Sequence, residues 1–227
     1  PPPPPPPPPR LFFLHAHAAN PHPLWSRGLG DVYKRQDLPG EDGSLDAYLW
    51  IRDQLPADIP CLVLPGNHDN PETLFSVFES QCNTSPDFFE TIALDELDMV
   101  FANTATNVLP ADQIEAIGRG SIRNGSLLFL HHPTEEVSGG FMDITYPLKN
   151  RAEVSKAISE SNIRHVFCGH FHTESHVRGV YDLHVTPSPA FTVDSDSREV
   201  KIGPPRIPLR EIIVDGTSVR TRVLYLE

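Results

Sequence analysis

Short apolar segments alternate along this chain with segments whose apolar spacing is that of amphipathic helices. The helical spacing occurs in "GSLDAYLWIRDQL", "NPETLFSVFES", "PADQIEAIGRG" and "NRAEVSKAISESN", and the apolar runs are "CLVLP", "DMVFANT", "SLLFL" and "IRHVFC". This alternation is typical of strands joined by helical crossovers, and strands that are apolar throughout are typical of a sheet buried on both faces. The last third adds strand-like runs, "DLHVTPSP" and "REIIVDG", without a helical pattern. We therefore predict a mixed α/β domain.

The ends of the predicted helices carry local signals. Ser44 is placed as the N-cap of the first helix, and Asn70 followed by Pro71 predicts the start of the second. In a later helix, Val154 and Ile158 fall on one face.

Composition excludes several classes of partner. The chain has 227 residues, 39% of them hydrophobic, and a formal net charge of −12. An acidic surface argues against nucleic acid or an anionic membrane as the main partner, although a bound metal could still attract a small anionic substrate. The three cysteines show no zinc-binding spacing, and such an odd, sparse set predicts reduced thiols and a cytoplasmic protein. No apolar run reaches the ~18 residues of a membrane span.

The first 36 residues differ from the rest. Residues 1–9 are all proline, and "HPLWSRGLGDVYKRQ" has no clear period and is locally basic. We interpret residues 1–36 as a low-complexity tail left by fusion or sequence assembly, which should form few regular hydrogen bonds. Residues 37–227 are predicted to be the folded domain, incomplete at its N-terminal end.

Three of the apolar segments end in side chains that can bind a metal ion. "CLVLP" is followed by "GNHD" (66–69), "SLLFL" by "HHP" (131–133) and "HVFC" by "GHFH" (169–172). Ligands of open α/β sheets bind at the carboxyl ends of the strands, so these turns are expected to meet. The glycines before Asn67 and His170 are expected to let the backbone turn sharply. Three histidine-bearing turns at equivalent positions indicate a shared metal site.

The donor types narrow the choice of metal. An asparagine oxygen is a neutral, hard ligand, and together with imidazoles and carboxylates it suits iron, manganese or zinc. Cysteine is absent from these turns, which argues against a structural zinc site. A lone histidine is usually structural or exposed, and we expect this of His165, His176 and His184.

GNHD, a strand-end HHP and GHFH, in this order, resemble the calcineurin-like metallophosphoesterase family. GNHD and GHxH together are a specific signal. The segments "DLPGEDGSLDAYLWIRDQLPADIPCLVLPGNHDN" and "VFCGHFHTESHVRGVYDLHVTPSPAFTV" are most similar to bacterial class III 3′,5′-cyclic-nucleotide phosphodiesterases. The resemblance covers the chain from residue 37 onward. It implies a two-sheet β-sandwich flanked by helices, with two metal ions at the C-terminal strand ends.

The resemblance also implies roles for particular side chains. Asn67 and His131 match metal ligands, and His68 matches the catalytic histidine that assists the leaving group. His170 and His172 match ligands of different metals, and strand alternation would point both to one centre. Asn67, His68 and His172 are also implied to contact the substrate.

Two upstream family motifs, a strand ending in D-x-H and one ending in G-D, are altered. Asp37 takes the place of the metal-bridging aspartate, although a glutamine precedes it. His17 takes the histidine place of the first motif, with His15 where aspartate is expected. We include Asp37 and His17 among the predicted metal ligands. H-x-H also suggests amidohydrolases, but this chain is too short for their barrel.

The implied activity is hydrolysis of a small phosphodiester, most similar to a 3′,5′-cyclic nucleotide such as cAMP, with two ions of the Fe/Mn or Fe/Zn type. Two alternatives stay open: a phosphohydrolase of another small ester, and a non-catalytic, incomplete copy of the fold. A homodimer is compatible with the sequence.

The resemblance also leads to a prediction of the site's geometry. We predict that the ligand atoms of Asn67, His131, His170, His172 and Asp37 lie within ~5 Å of a shared metal pair, with His132 only a neighbour.

Overall fold

The computed structural model describes residues 10–13, 45–54, 62–79, 86–94, 96–119, 121–189, 191–204 and 206–226. Its helices are α1 (Leu45–Gln54), α2 (Pro71–Phe78), α3 (Ala111–Gly118), α4 (Phe141–Thr145) and α5 (Arg151–Glu160). Its strands are β1 (Arg10–Phe13), β2 (Glu90–Leu94), β3 (Leu97–Phe101), β4 (Ser126–Phe129), β5 (Ile163–Cys168), β6 (Ser175–Arg178), β7 (Asp182–Val185), β8 (Thr192–Val193), β9 (Ile202–Gly203), β10 (Ile207–Asp215) and β11 (Ser218–Leu226). The four helices predicted from apolar spacing are α1, α2, α3 and α5.

Six of these strands form the main sheet, in the order β2-β3-β4-β5-β7-β6. β3, β4, β5 and β7 are parallel, and β2 and β6 pair antiparallel to them at the two edges. α3 connects β3 to β4, and α5 lies in the connection from β4 to β5, because parallel neighbours need a crossover. Parallel strands end at the same edge of a sheet, so the chain leaves β4 and β5 for the turns at 131 and 169 side by side.

Helices cover one face of the main sheet. Leu128 of β4 and Val166 of β5 lie in a buried cluster with Ile117 of α3 and with Val154 and Ile158 of α5. The last two side chains are fully buried, which confirms the helix face predicted from their spacing.

A second sheet covers the other face. Its order is β1-β10-β11, and Ile212 and Val214 of β10 share a buried cluster with Leu127 and Phe167 of the main sheet. Burial on both faces explains why the central strands are apolar at nearly every position. The mixed α/β architecture predicted above, with two packed sheets and flanking helices, is confirmed.

α1 and α2 pack together beside the 66–69 turn. Tyr48 and Leu74, both fully buried, belong to their common core. Asn70 caps α2 as predicted, since its side chain accepts a hydrogen bond from the Thr73 N–H at 2.9 Å. Ser44, the predicted cap of α1, lies outside the described residues.

Part of the predicted tail forms regular structure. Residues 10–13 are the strand β1, which pairs antiparallel with β10 from Arg10↔Val214 to Phe13↔Glu211. For these four residues, the expectation of few regular hydrogen bonds was wrong. Without β1, the backbone N–H and C=O groups of β10 that point away from β11 would have no strand to bond to. Pairing with β1 gives these groups hydrogen-bond partners.

The run "CLVLP" was predicted to be a buried strand. In its described part, Val63 and Pro65 are buried, but residues 62–66 have no regular strand pairing. The strand prediction was therefore wrong here. An apolar run determines burial, whereas a strand also needs a neighbour to pair with, and none of the described strands pairs with it.

In the described ranges, no helix combines the length and the apolarity that crossing a membrane requires.

Candidate metal centre

The 66–69 turn is held by the aspartate at its end. Asp69 Oδ2 accepts a hydrogen bond from the Gly66 N–H at 2.8 Å, and Asp69 Oδ1 accepts one from Tyr48 Oη at 2.8 Å. The Asp69 N–H donates in turn to the Gly66 carbonyl at 3.2 Å. Asp69 therefore has a structural role: it closes the turn, ties it to α1, and fixes the backbone that carries Asn67 and His68.

β4 delivers two adjacent histidines at its end. The Gly169 N–H donates to the His131 carbonyl at 3.1 Å. Backbone hydrogen bonding between the segments that follow β4 and β5 therefore continues past the ends of the two strands. His132 is fully buried, and its Nδ1 lies 2.9 Å from the hydroxyl of Thr104, which follows β3. Within the described part of the chain, His132 Nε2 is a buried nitrogen without a hydrogen-bond partner. A buried polar atom of this kind is expected to meet a ligand.

The two histidines after β5 each use one ring nitrogen to bond a backbone carbonyl. His170 Nε2 lies 3.0 Å from the Tyr146 carbonyl, and His172 Nδ1 lies 3.2 Å from the Phe191 carbonyl. A carbonyl oxygen only accepts, so these nitrogens carry the proton. In the neutral rings, His170 Nδ1 and His172 Nε2 then carry lone pairs. Metal-ligating histidines are held in this way, with the second nitrogen donating to a carbonyl or carboxylate.

The centre forms around one nitrogen. His131 Nε2 lies 2.9 Å from Asn67 Oδ1 and 3.1 Å from His170 Nδ1. The ligand nitrogens of His131, His132 and His170 all lie within 4.8 Å of one another. Ligands held ~2.0–2.1 Å from an ion in octahedral arrangement are ~3 Å apart. The separations at His131 Nε2 are hydrogen-bond distances in this structure, and they match the spacing of ligands around one metal ion.

The electrostatics favour neutral imidazoles. Burial lowers the pKa of His131 well below its ordinary value, and the neighbouring rings of His170, His132 and His172 lower it further. Burial, followed by His170, lowers the pKa of His132 to about 2. Both rings are neutral at neutral pH, and the neutral imidazole is the form that binds a metal.

The structure brings together some of the predicted ligands. Asn67, His131 and His170 are in direct contact. His172 is buried and acts electrostatically on His131, but it does not belong to the cluster of three close histidines. His68 acts electrostatically on His131 as well.

Asp37 and His17 lie outside the described residues, so their roles as metal ligands stay predictions. The same holds for the expected meeting of Asp37 with the strand-end histidines.

The backbone reaches this arrangement by a route that the sequence reasoning missed. Gly66 and Gly169 were expected to supply the sharp turns, but neither has a left-handed backbone; His170 (φ 63°) and His172 (φ 54°) adopt it themselves. The expected strand alternation of the two histidines was also wrong, because β5 ends at Cys168. Left-handed non-glycine residues cost ~1–3 kcal/mol each and persist where surrounding contacts over-determine them. Here the hydrogen bonds of the His170 and His172 rings to backbone carbonyls help to hold both residues in this conformation.

Sequence reasoning treated His132 as a neighbour, whereas the structure places it in the cluster. Alternation along a strand would point two adjacent side chains to opposite faces. β4 ends at Phe129, so alternation no longer applies at 131 and 132. The sequence signal that could have identified His132 as a candidate ligand was the pair of adjacent histidines directly after a strand.

The chain is similar in sequence to a known protein. A Fibrobacter succinogenes protein described as a probable cyclic nucleotide phosphodiesterase is 32% identical over 161 residues, which are 68% of this chain and 62% of that protein. The chain thus spans less than two thirds of the relative that it matches. No protein-family model matches the chain.

Among solved structures, Vps29 from Entamoeba histolytica aligns over 88% of this chain and 97% of its own, with 12% identity and a TM-score of 0.33. This TM-score is too low to establish a common fold. The similarity to the Fibrobacter protein agrees with the resemblance to cyclic-nucleotide phosphodiesterases that the motifs suggest.

Proposed function

We propose that this chain is a metal-dependent phosphodiesterase whose substrate is a small phosphodiester, in particular a 3′,5′-cyclic nucleotide such as cAMP. The observation that carries the proposal is the contact of His131 Nε2 with both Asn67 Oδ1, at 2.9 Å, and His170 Nδ1, at 3.1 Å. The similarity to the Fibrobacter protein supports the choice of substrate class.

The residues present fit a metal. An amide oxygen and several neutral imidazoles form the donor set of an iron, manganese or zinc site, and His132 Nε2 is a buried nitrogen in need of a ligand. Asn67, His131 and His170 would hold a first ion, and His132 or His172 would complete the set. A second ion, of the Fe/Mn or Fe/Zn pairing, would draw on Asp37 and His17 as well. When bound, such ions offset the negative charge that builds up on the phosphoryl oxygens during hydrolysis.

His68 is the catalytic residue in this proposal. The bonds of Asp69 to Gly66 and Tyr48 fix the turn that carries it. A water oxygen would bond to phosphorus as the P–O bond to the ribose breaks, and the His68 imidazole would donate a proton to the leaving ribose oxygen. The proton that the attacking water loses passes to solvent, and solvent would restore the proton of His68. Asn67 and His172 would contact the phosphate as well.

The test starts with the whole chain, stripped of metal and reloaded separately with manganese, iron or zinc. Hydrolysis is measured on 3′,5′-cAMP, 2′,3′-cAMP, a glycerophosphodiester and bis(p-nitrophenyl) phosphate. We expect metal-dependent turnover, with 3′,5′-cAMP preferred among the natural esters. Asn67→Ala should lower both the metal content and the turnover of every substrate, because it removes a ligand. Asn124→Ala, at an exposed turn before the opposite end of β4, is the matched control and should change neither.

Two results would contradict the proposal. Turnover of the glycerophosphodiester without turnover of cyclic nucleotides would favour the alternative ester. Full metal loading without hydrolysis of any substrate would favour the non-catalytic copy.

A further inference from the structure

A second group of metal-binding side chains lies on the face of the main sheet that carries Phe167. His165 of β5 and Asp182 and His184 of β7 each offer one ligand atom, and these atoms all lie within 4.8 Å of one another. The pairing register explains this proximity. His165 lies opposite Asp182 and Phe167 opposite His184, so alternate residues of two neighbouring strands face the same side.

This group is separate from the centre described above. The three residues of strand from His165 to the end of β5 at Cys168 span ~10 Å, and the candidate centre begins only beyond that end. His184 lies in the middle of β7 and is 5% exposed.

We propose that His165, Asp182 and His184 form a second cation site, suited to zinc or a similar divalent transition metal. His165 Nδ1 lies 3.4 Å from His184 Nε2 and 4.0 Å from Asp182 Oδ2. Two ligands at ~2.0–2.1 Å from a tetrahedral zinc ion are ~3.3–3.4 Å apart, so the two imidazoles already have this spacing. Two histidines and one carboxylate are also a donor set that zinc takes in proteins.

His176 of the edge strand β6 supports the carboxylate. Its Nε2 lies 3.1 Å from Asp182 Oδ1, and its ring stacks on that of His184 with centroids 4.5 Å apart. His176 therefore occupies one carboxylate oxygen and leaves Oδ2 for the ion, as outer partners of metal ligands do. The Asp182 side chain is 37% exposed, so solvent can reach the site and supply the fourth ligand.

Charged groups of both signs act on this cluster. Arg210 of β10 acts electrostatically on His184; its guanidinium donates to the carbonyl of Val185 and the hydroxyl of Thr186. Asp182 supplies the opposing negative charge. Burial lowers the pKa of both His165 and His184, so these rings are neutral at neutral pH and can donate lone pairs.

An ion here would tie β5 to β7 and, through His176, to β6. It would stabilise one edge of the main sheet without touching the proposed catalytic centre. This role goes beyond the proposed function, and it would add metal binding to the structural or exposed roles expected of His165, His176 and His184.

The experiment measures zinc in the whole chain. Protein stripped with a chelator is dialysed against zinc, the metal per chain is measured by mass spectrometry, and the affinity by competition with a chromophoric chelator. Asp182→Asn and His165→Gln should each lose about one zinc per chain, or bind it at least ~10-fold more weakly, because the first replaces the charged carboxylate with a weakly binding neutral amide and the second removes an imidazole nitrogen. Arg178→Gln is the matched control: it is exposed and lies opposite Asp182 in the β6–β7 ladder, and it should bind zinc as the natural chain does.

A second readout separates this site from the catalytic one. Zinc should raise the melting temperature of the natural chain by more than that of Asp182→Asn, while phosphodiester turnover stays the same in both. If the natural chain hydrolyses nothing, the proposed function fails, but the difference in zinc content still decides the present proposal. Asp182→Asn keeps the side-chain shape at a partly exposed position and should fold, whereas His184→Gln changes a buried one. Unchanged zinc content and affinity in both Asp182→Asn and His165→Gln would overturn the proposal.

Discussion

The residues of the 66–69 turn have two kinds of role: some shape the turn and others belong to the candidate metal centre. Gly66 and Asp69 bond to each other, and Asp69 also bonds to Tyr48 of α1, so these two residues shape the turn. Asn67 faces His131 at 2.9 Å and belongs to the candidate centre. Of the four, His68 is the one for which the proposed function requires proton transfer.

Replacing His68 with alanine is expected to slow hydrolysis of a cyclic nucleotide by ~10²–10⁴-fold. The reason is that a ribose oxygen is a poor leaving group and needs a proton. A nitrophenol ester, whose oxygen leaves without a proton, should lose little. Metal content should stay unchanged, since His68 is not proposed as a ligand. The measurement is kcat for both substrates together with metal per chain.

Asn67→Ala is the neighbouring comparison for this prediction. It should reduce metal occupancy and slow both substrates alike. Equal losses for both substrates in His68→Ala, with metal content unchanged, would instead assign His68 to binding of the phosphate.

At the scale of elements, α2 begins directly after this turn, and its cap links the helix to the site. The Asn70 side chain accepts from the Thr73 N–H at 2.9 Å, while the Asn70 N–H donates to Tyr48 Oη at 3.0 Å. The side chain therefore starts the helix, and the backbone joins it to α1.

Asn70→Ala is expected to lower the free energy of unfolding by ~1 kcal/mol, because one N–H at the start of α2 loses its acceptor. Asn70→Asp keeps an acceptor oxygen at the same place and should retain most of the stability. The measurement is urea-induced unfolding of the three proteins under identical conditions. A loss as large in Asn70→Asp as in Asn70→Ala would show that capping by the side chain is not the cause.

At the scale of the whole molecule, burial of imidazoles makes stability depend on pH. Within the described ranges, a lowered pKa is found for His131, His132, His165 and His184. A histidine whose pKa is lower in the folded than in the unfolded state binds fewer protons when folded. Its contribution to stability is then complete above the unfolded value of 6.5 and is lost as the pH falls toward the folded value, about 2 for His132 and about 3 for His184.

We therefore expect the free energy of unfolding of the metal-free protein to fall from about pH 6.5 downward, by up to ~1.4 kcal/mol per pH unit for each such imidazole. His132→Gln should make this slope shallower by the share of one imidazole. The measurement is urea unfolding in the presence of a chelator from about pH 7 to about pH 4. The slopes are compared because losing the His132–Thr104 contact lowers stability at every pH. Identical slopes in the two proteins would contradict this origin of the pH dependence.

Local patterns in the sequence determined the positions of four helices, the start of one of them and several residues of the candidate metal centre. Apolar spacing located α1, α2, α3 and α5, since a helix buries one face and its period is visible within a few turns. Asn70 and Pro71 located a helix start because capping acts between residues three apart. Apolar runs that end in polar turns located His131 and His170, because the parallel strands β4 and β5 end at a common edge. The same pattern located Asn67, although the apolar run before it does not pair as a strand.

The tertiary structure decided whatever depends on which segments pair. β1 lies against β10, some two hundred residues later, and no local pattern specifies such a partner. His132 joined the candidate centre because β4 ends before it, where strand alternation stops. The register of β5 with β7 places His165 and His184 on the same face as diagonal neighbours, although β6 lies between these strands in the chain. In each case the contact joins side chains distant in sequence, and only strand pairing and packing set the distance between them.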